Sequence, residues 1–313
     1  MDYLLLLIGF VIIIVSSGIL VDAASSVAIK LRVPKILIAL TIVAFGTCMP
    51  ELAISFNSIM GGNGDVALAN VIGSCIINIV LVIGVAAIAR PIRVKTETIK
   101  KQLPLLLVVT TVFSQILLFS FVKSDQVFHR IGGIMLVGLF GIFCYYIYKI
   151  FKKTKSDNKN DEPKYSFGLA IFLVILTLFL IAVSSNLVVE KAVIVASLIG
   201  VSEKVITMFV IVIGTSLPEL VMTVTSAKRR EFDFALGNII GTNIFNICIV
   251  LGLPVSIFGS IQIMDFSMID VIAVMLSVLM LYFFSKSDKK LTKIEGILML
   301  AIFIMYYTYI ILF

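Results

Sequence analysis

The chain has 313 residues, 60% of them hydrophobic and 14% charged, with a formal net charge of +7 and a mean hydropathy of +1.17. These values lie far from those of a soluble globular domain and make lipid the solvent. In a water-soluble protein the positive balance would point to nucleic acid, but in a chain this apolar it marks cytoplasmic loops, and no nucleic-acid partner is expected.

A spanning helix needs roughly 20 mainly apolar residues. In chain order such stretches predict helices over 3–29, 36–60, 66–89, 103–122, 128–150, 166–198, 205–227, 234–259, 267–284 and 294–312. The first run follows Met1-Asp2 with no basic leader and no small-residue cleavage site, so it is expected to be retained as a helix. Lys30, Arg32 and Lys35 follow the first run; Arg90, Arg93, Lys95, Lys100 and Lys101 follow the third; Lys149 to Lys164 follow the fifth. Lys228, Arg229 and Arg230 follow the seventh, and Lys286, Lys289, Lys290 and Lys293 the ninth. The remaining connections hold only Lys123, Arg130, Lys191 and Lys204. A bias of roughly 21 basic residues against about 4 predicts a multi-pass cell-membrane protein with both termini outside. Cys48, Cys75, Cys144 and Cys248 fall inside predicted spans without a CxxC or Cys/His cluster, so neither a disulfide framework nor a zinc site is expected.

Gly46-Thr-Cys-Met-Pro-Glu-Leu52 returns as Gly214-Thr-Ser-Leu-Pro-Glu-Leu220, an offset of 168 positions. The same offset aligns Asn70 to Ser74 with Asn238 to Thr242, Asn78 with Asn246, Gly84 with Gly252, and Ser16-Ser17 with Ser184-Ser185. Between 46 and 84 about 17 of roughly 39 positions are identical, more than shared hydrophobicity explains. Each half holds an odd number of predicted spans, so the halves enter the membrane from opposite sides. The fold class expected is all-α integral membrane, ten transmembrane helices as two inverted five-helix repeats, 1–151 and 166–313, joined by a cytoplasmic linker at 152–165.

A charge at the bilayer centre costs at least about 2.5–3.5 kcal/mol and is usually functional. Only Glu51 and Glu219 lie deep inside spans; Asp22, Asp65, Glu190, Asp233, Asp265, Asp270 and Glu295 sit near predicted ends, where water or a headgroup accounts for them. Thr47 and Glu51 share a helix face, as do Ser74 and Asn78, Thr215 and Glu219, and Thr242 and Asn246. Pro50 and Pro218 cannot donate to the carbonyls of Gly46 and Gly214, so each helix loosens there and frees backbone oxygen. Such oxygens suit Ca2+, and two carboxylates neutralise one such ion. Gly73 and Gly241 are read as close-packing positions.

These motifs resemble the cation/calcium antiporter superfamily, and within it the short-loop microbial sodium/calcium exchangers, whose paired repeats carry G-T-S-x-P-E and G-N-x-x-G-S-N. The resemblance covers essentially the whole chain. It implies Ca2+ held by Glu51 and Glu219 with the carbonyls of Thr47 and Thr215. It implies Na+ sites that share the glutamates and add Ser74, Thr242, Thr47, Thr215, Ser216 and the carbonyls of Ala44 and Val212, with Asn78 and Asn246 lining the centre. Cys48 departs from the pattern, standing where Ser216 stands in the second copy, and sulfur is a poor partner for Na+. Ala69 replaces a glycine, a packing change, and Asn246 resembles the potassium-independent branch. The expectation is a Na+/Ca2+ antiporter working as a monomer in the bilayer, with no resident cofactor and Ca2+ and Na+ as cargo. In it the first and sixth helices slide as gates. The alternative is a Ca2+/H+ exchanger that protonates Glu51 and Glu219. An ion channel is disfavoured because the chain encloses its own repeats. An intramembrane enzyme lacks a recognisable catalytic motif, His129 being read as a surface residue.

Overall fold

The computed structural model describes residues 2–122, 126–153, 162–198, 212–263 and 266–312. The beginning of the predicted seventh span (205–211), linker residues 154–161, Lys123, Lys204 and Asp265 lie outside the described residues. The first half runs α1 (Asp2–Leu31), α2 (Lys35–Thr47), α3 (Met49–Met60), α4 (Gly64–Ala89), β1 (Ile92–Arg93), α5 (Leu103–Val122), β2 (Val127–Phe128) and α6 (Arg130–Lys153). The second runs α7 (Phe167–Leu198), α8 (Val212–Thr215), α9 (Leu217–Lys228), α10 (Phe232–Phe258), β3 (Ile261–Gln262), α11 (Met268–Ser287), β4 (Lys290–Leu291) and α12 (Lys293–Leu312). Among the described residues eight helices are long and apolar enough to cross a membrane, or nine if the bent pair α2–α3 is one span.

The predicted span 36–60 is therefore not one continuous helix. It breaks at Cys48, and its two pieces meet at 47°. Pro50 is the cause: it sits in the first turn of α3, where a missing N–H costs nothing, but it cannot continue the ladder from α2.

α4 and α10 form the centre and are mostly buried, whereas α6 and α12 leave most of their apolar residues exposed. The outer helices present large apolar side chains such as Ile134, Phe172, Phe179, Ile272 and Ile304 on exposed faces, as a bilayer-facing surface requires. α10 lies almost backbone to backbone on α2. A Cβ on Gly241 would fall 2.6 Å from the Leu40 carbonyl oxygen, and one on Gly237 would fall 2.7 Å from the Ala39 Cβ. The close-packing role read for Gly241 holds in the structure. α1 packs most extensively against α7, with Ser16, Ser17, Ser184 and Ser185 all buried.

Two pairs of short antiparallel strands were not anticipated. β1 pairs with β4 (Ile92 opposite Leu291), and β2 pairs with β3 (Val127 opposite Gln262). Each pair joins one half of the chain to the other. The connections after the third and ninth predicted spans therefore share one face, and those after the fourth and eighth share another.

The basic connections are not simply solvated. Lys35 pairs with Glu231 at 2.9 Å and Lys95 with Asp233 at 2.7 Å, while Arg90 donates to the Lys228 carbonyl at 3.1 Å. Asp22, read from sequence as a water or headgroup contact, is instead paired with Arg229 and Lys164, each at 2.7 Å. The hydrogen bond to Asp22 and its charge hold the Lys164 amine above the ordinary lysine range.

Candidate cation site

The site is built on two matching helix breaks. Cys48 (φ −82°, ψ 2°) separates α2 from α3, and Ser216 (φ −89°, ψ 9°), its equivalent at an offset of 168, separates α8 from α9. Each break puts a glutamate in the first turn of the helix that follows, Glu51 in α3 and Glu219 in α9. The N-terminal dipole of each helix favours the negative charge there. Matching π-helical turns interrupt the central helices at Ile77–Ile83 in α4 and Asn246–Leu251 in α10. Asn78 lies in the first of these and Asn246 opens the second. A π turn often marks a functional position in a helix.

Both glutamates are 1% exposed. Neither carboxylate oxygen of Glu219 has a hydrogen-bond partner, nor does Oε2 of Glu51, nor the hydroxyl of Ser216, nor either amide atom of Asn246, nor Oδ1 of Asn78. Leaving a buried polar group unpaired costs about 1–3 kcal/mol, more when it is charged, so these atoms together define a place that requires a polar or cationic guest.

The structure brings several of the predicted residues together. Cys48 lies within electrostatic range of both carboxylates, and Glu51 within range of Glu219. Across the two halves the Cys48 thiol donates to the Thr242 carbonyl at 3.8 Å, and the Asn78 amide donates to the Thr242 hydroxyl at 3.5 Å. Ser74 is buried in α4, and Thr215 is half-buried at the end of α8, which Val212 begins. Ala44 is buried one turn before the Cys48 break. Its carbonyl already accepts the Thr47 hydroxyl at 3.2 Å and the Cys48 N–H at 3.1 Å, filling both lone pairs in this conformation.

Sequence reasoning passed over the residues that hold the breaks in place. The Asn70 amide of α4 donates to the Glu51 carbonyl at 3.1 Å and to the Ser55 hydroxyl at 3.2 Å. Its equivalent Asn238 donates to Thr223 at 3.5 Å. The signal was present, since Asn70 and Asn238 are identical in the repeat and Ser55 and Thr223 both carry hydroxyls at the same offset. Among the described residues no three acidic, thiol or imidazole side chains gather as a metal site. A cation here would meet two carboxylates and neutral oxygens, a hard donor set that suits Ca2+ or Na+ better than a soft transition metal.

Comparison with known proteins bears on the same residues. A family model described as sodium/calcium exchanger protein matches residues 1–149 and 169–312. The chain is 28% identical to the sodium/calcium exchanger MaX1 of Methanosarcina acetivorans, over 97% of this chain and 96% of that protein. It is 32% identical to the inner membrane protein YrbG of Escherichia coli, over 80% and 78% respectively. A solved structure of the sodium-calcium exchanger NCX_Mj, soaked with zero Na+ and Ca2+, superposes with a TM-score of 0.81 at 30% identity, covering 97% of each chain.

Proposed function

Because this chain belongs to the sodium/calcium exchanger protein family, we propose that its Na+/Ca2+ antiport runs through the cluster centred on Glu51 and Glu219. The chain is a multi-pass membrane antiporter with Na+ and Ca2+ as substrates, and the Ca2+/H+ alternative is not favoured. The observation that carries the location is the pair of buried carboxylates with unpartnered oxygens at two equivalent helix breaks.

In this reading Ca2+ is held by Glu51 and Glu219 with the carbonyls of Thr47 and Thr215. Na+ uses the same carboxylates with Ser74, Thr242, Ser216, the hydroxyls of Thr47 and Thr215 and the carbonyl of Val212, and Asn78 and Asn246 line the centre. The carbonyl of Ala44 joins only when Thr47 turns its hydroxyl away. Cys48 contributes the weak position. Shared ligands make the two ions exclude each other, and two bare carboxylates at the midplane oppose the crossing of an empty carrier. Antiport follows from those two conditions. Uptake of 45Ca2+ into proteoliposomes loaded with Na+ should exceed uptake driven by K+ or proton gradients several-fold; uptake that follows only the proton gradient would remove Na+ from the cycle.

The architecture belongs to the same proposal. It consists of ten spans as inverted repeats 1–151 and 166–313 about a cytoplasmic linker at 152–165, functional as a monomer, with both termini outside. The cross-half strand pairs and the ion pairs between basic connections support it, because each requires the facing connections to lie on one side. Single cysteines at positions 62 and 260, in a background free of native cysteines, should react with impermeant reagents from outside, and those at 96 and 157 only from inside. Labelling of 62 and 157 from the same side would break the inverted arrangement.

A further inference from the structure

Asp22 of α1 is gripped from outside its own helix. The guanidinium of Arg229, just past α9, donates through Nη1 to the Gly18 carbonyl at 2.9 Å and to the Asp22 carboxylate at 2.7 Å. Lys164 takes the other carboxylate oxygen at 2.7 Å. Gly18 is what admits the guanidinium, since a Cβ there would sit 2.5 Å from Arg229 Nη2. Asp22 and Lys164 line a polar recess of about 330 Å³ together with the neighbouring pair Lys35 and Glu231.

The internal repeat supplies a built-in comparison at the opposite face. The offset of 168 places Glu190 at the equivalent of Asp22, Asn186 at that of Gly18, and Gly61 at that of Arg229. The acid is retained, but the arginine and the glycine that receives it are gone. Glu190 pairs with Lys191 of its own helix at 2.8 Å, and Lys191 reaches Asp2 of α1 at 3.5 Å. Among the described residues, the ion pairs at that end stay within the α1–α7 pair.

We propose that Arg229 forms a one-sided latch that ties the α1–α7 pair to the central helices at the basic face, while Lys164, three residues before α7, braces Asp22 from within the pair. That face is then closed at rest, and the opposite face opens first. The latch rests on the antiporter reading above, with α1 and α7 as the moving pair, and Arg229 acts as a positioning residue rather than an ion ligand. Exposed ion pairs are weak singly, but here one guanidinium holds both a carboxylate and a backbone carbonyl, so losing it should shift the balance between faces by about threefold.

The test keeps Cys48 as the sole thiol, through Cys75→Ala, Cys144→Ala and Cys248→Ala. Its rate of modification by a membrane-impermeant thiol reagent is then measured in right-side-out and inverted membrane vesicles, with and without Ca2+. Arg229→Gln should raise the rate from the basic face about threefold and lower it from the other face. Gly18→Ala displaces the guanidinium while keeping every charge, and it should shift the ratio in the same direction. An unchanged ratio in both variants, with Ca2+ still protecting Cys48 in the parent, overturns the latch alone. Failure of Ca2+ to protect the parent overturns the site reading and the latch with it.

Discussion

Glu51→Gln and Glu219→Gln should each lower Ca2+ exchange by more than about a hundredfold, because removing one member of a buried charge set costs about 3–5 kcal/mol when the ion that completes it must bind. Glutamine keeps the shape of the side chain but halves the negative charge available to a divalent ion. Folding should survive, and the thermal midpoint should hold or rise, since the change relieves repulsion between two buried carboxylates within range of each other. The two readouts therefore separate: 45Ca2+ uptake falls to background while the melting curve does not fall. Near-normal uptake by either variant would place the transport path elsewhere.

The second large effect concerns the one asymmetry at the centre. The Ser216 hydroxyl is buried without a partner, whereas the Cys48 thiol is spent on the Thr242 carbonyl. A serine at 48 could donate to that carbonyl and still offer lone pairs to a hard cation, which a thiol does poorly. Cys48→Ser should lower the Na+ concentration for half-maximal exchange about fivefold, the equivalent of one ligand bond of about 1 kcal/mol. Ca2+ dependence should move much less, because it rests on the glutamates. An unchanged Na+ dependence would make position 48 a packing residue.

Much of this was legible in the sequence because the repeat is a matter of identity rather than propensity. Pro50 with Glu51 and Pro218 with Glu219, read together, located both helix breaks and both carboxylates, and the span limits agree with the described helices to within a few residues. Other features were hidden for physical reasons. A two-residue strand such as Ile92–Arg93 is too short to show a period of two. The π turns at Ile77–Ile83 and Asn246–Leu251 leave no mark in an apolar run. Pairings such as Asp22 with Arg229 depend on which connections meet in space, and a single sequence does not report that. The commitment of the Ala44 carbonyl was invisible for a related reason, since it depends on which way the Thr47 hydroxyl turns.

The two strand pairs also bear on how the molecule is made. β1 leaves the ribosome about 200 residues before its partner β4. β2 likewise waits for β3 in the other half. The strand edges of the first half therefore stay unpaired until their partners in the second half are made. The two halves are clasped only once the strands of the second have been made.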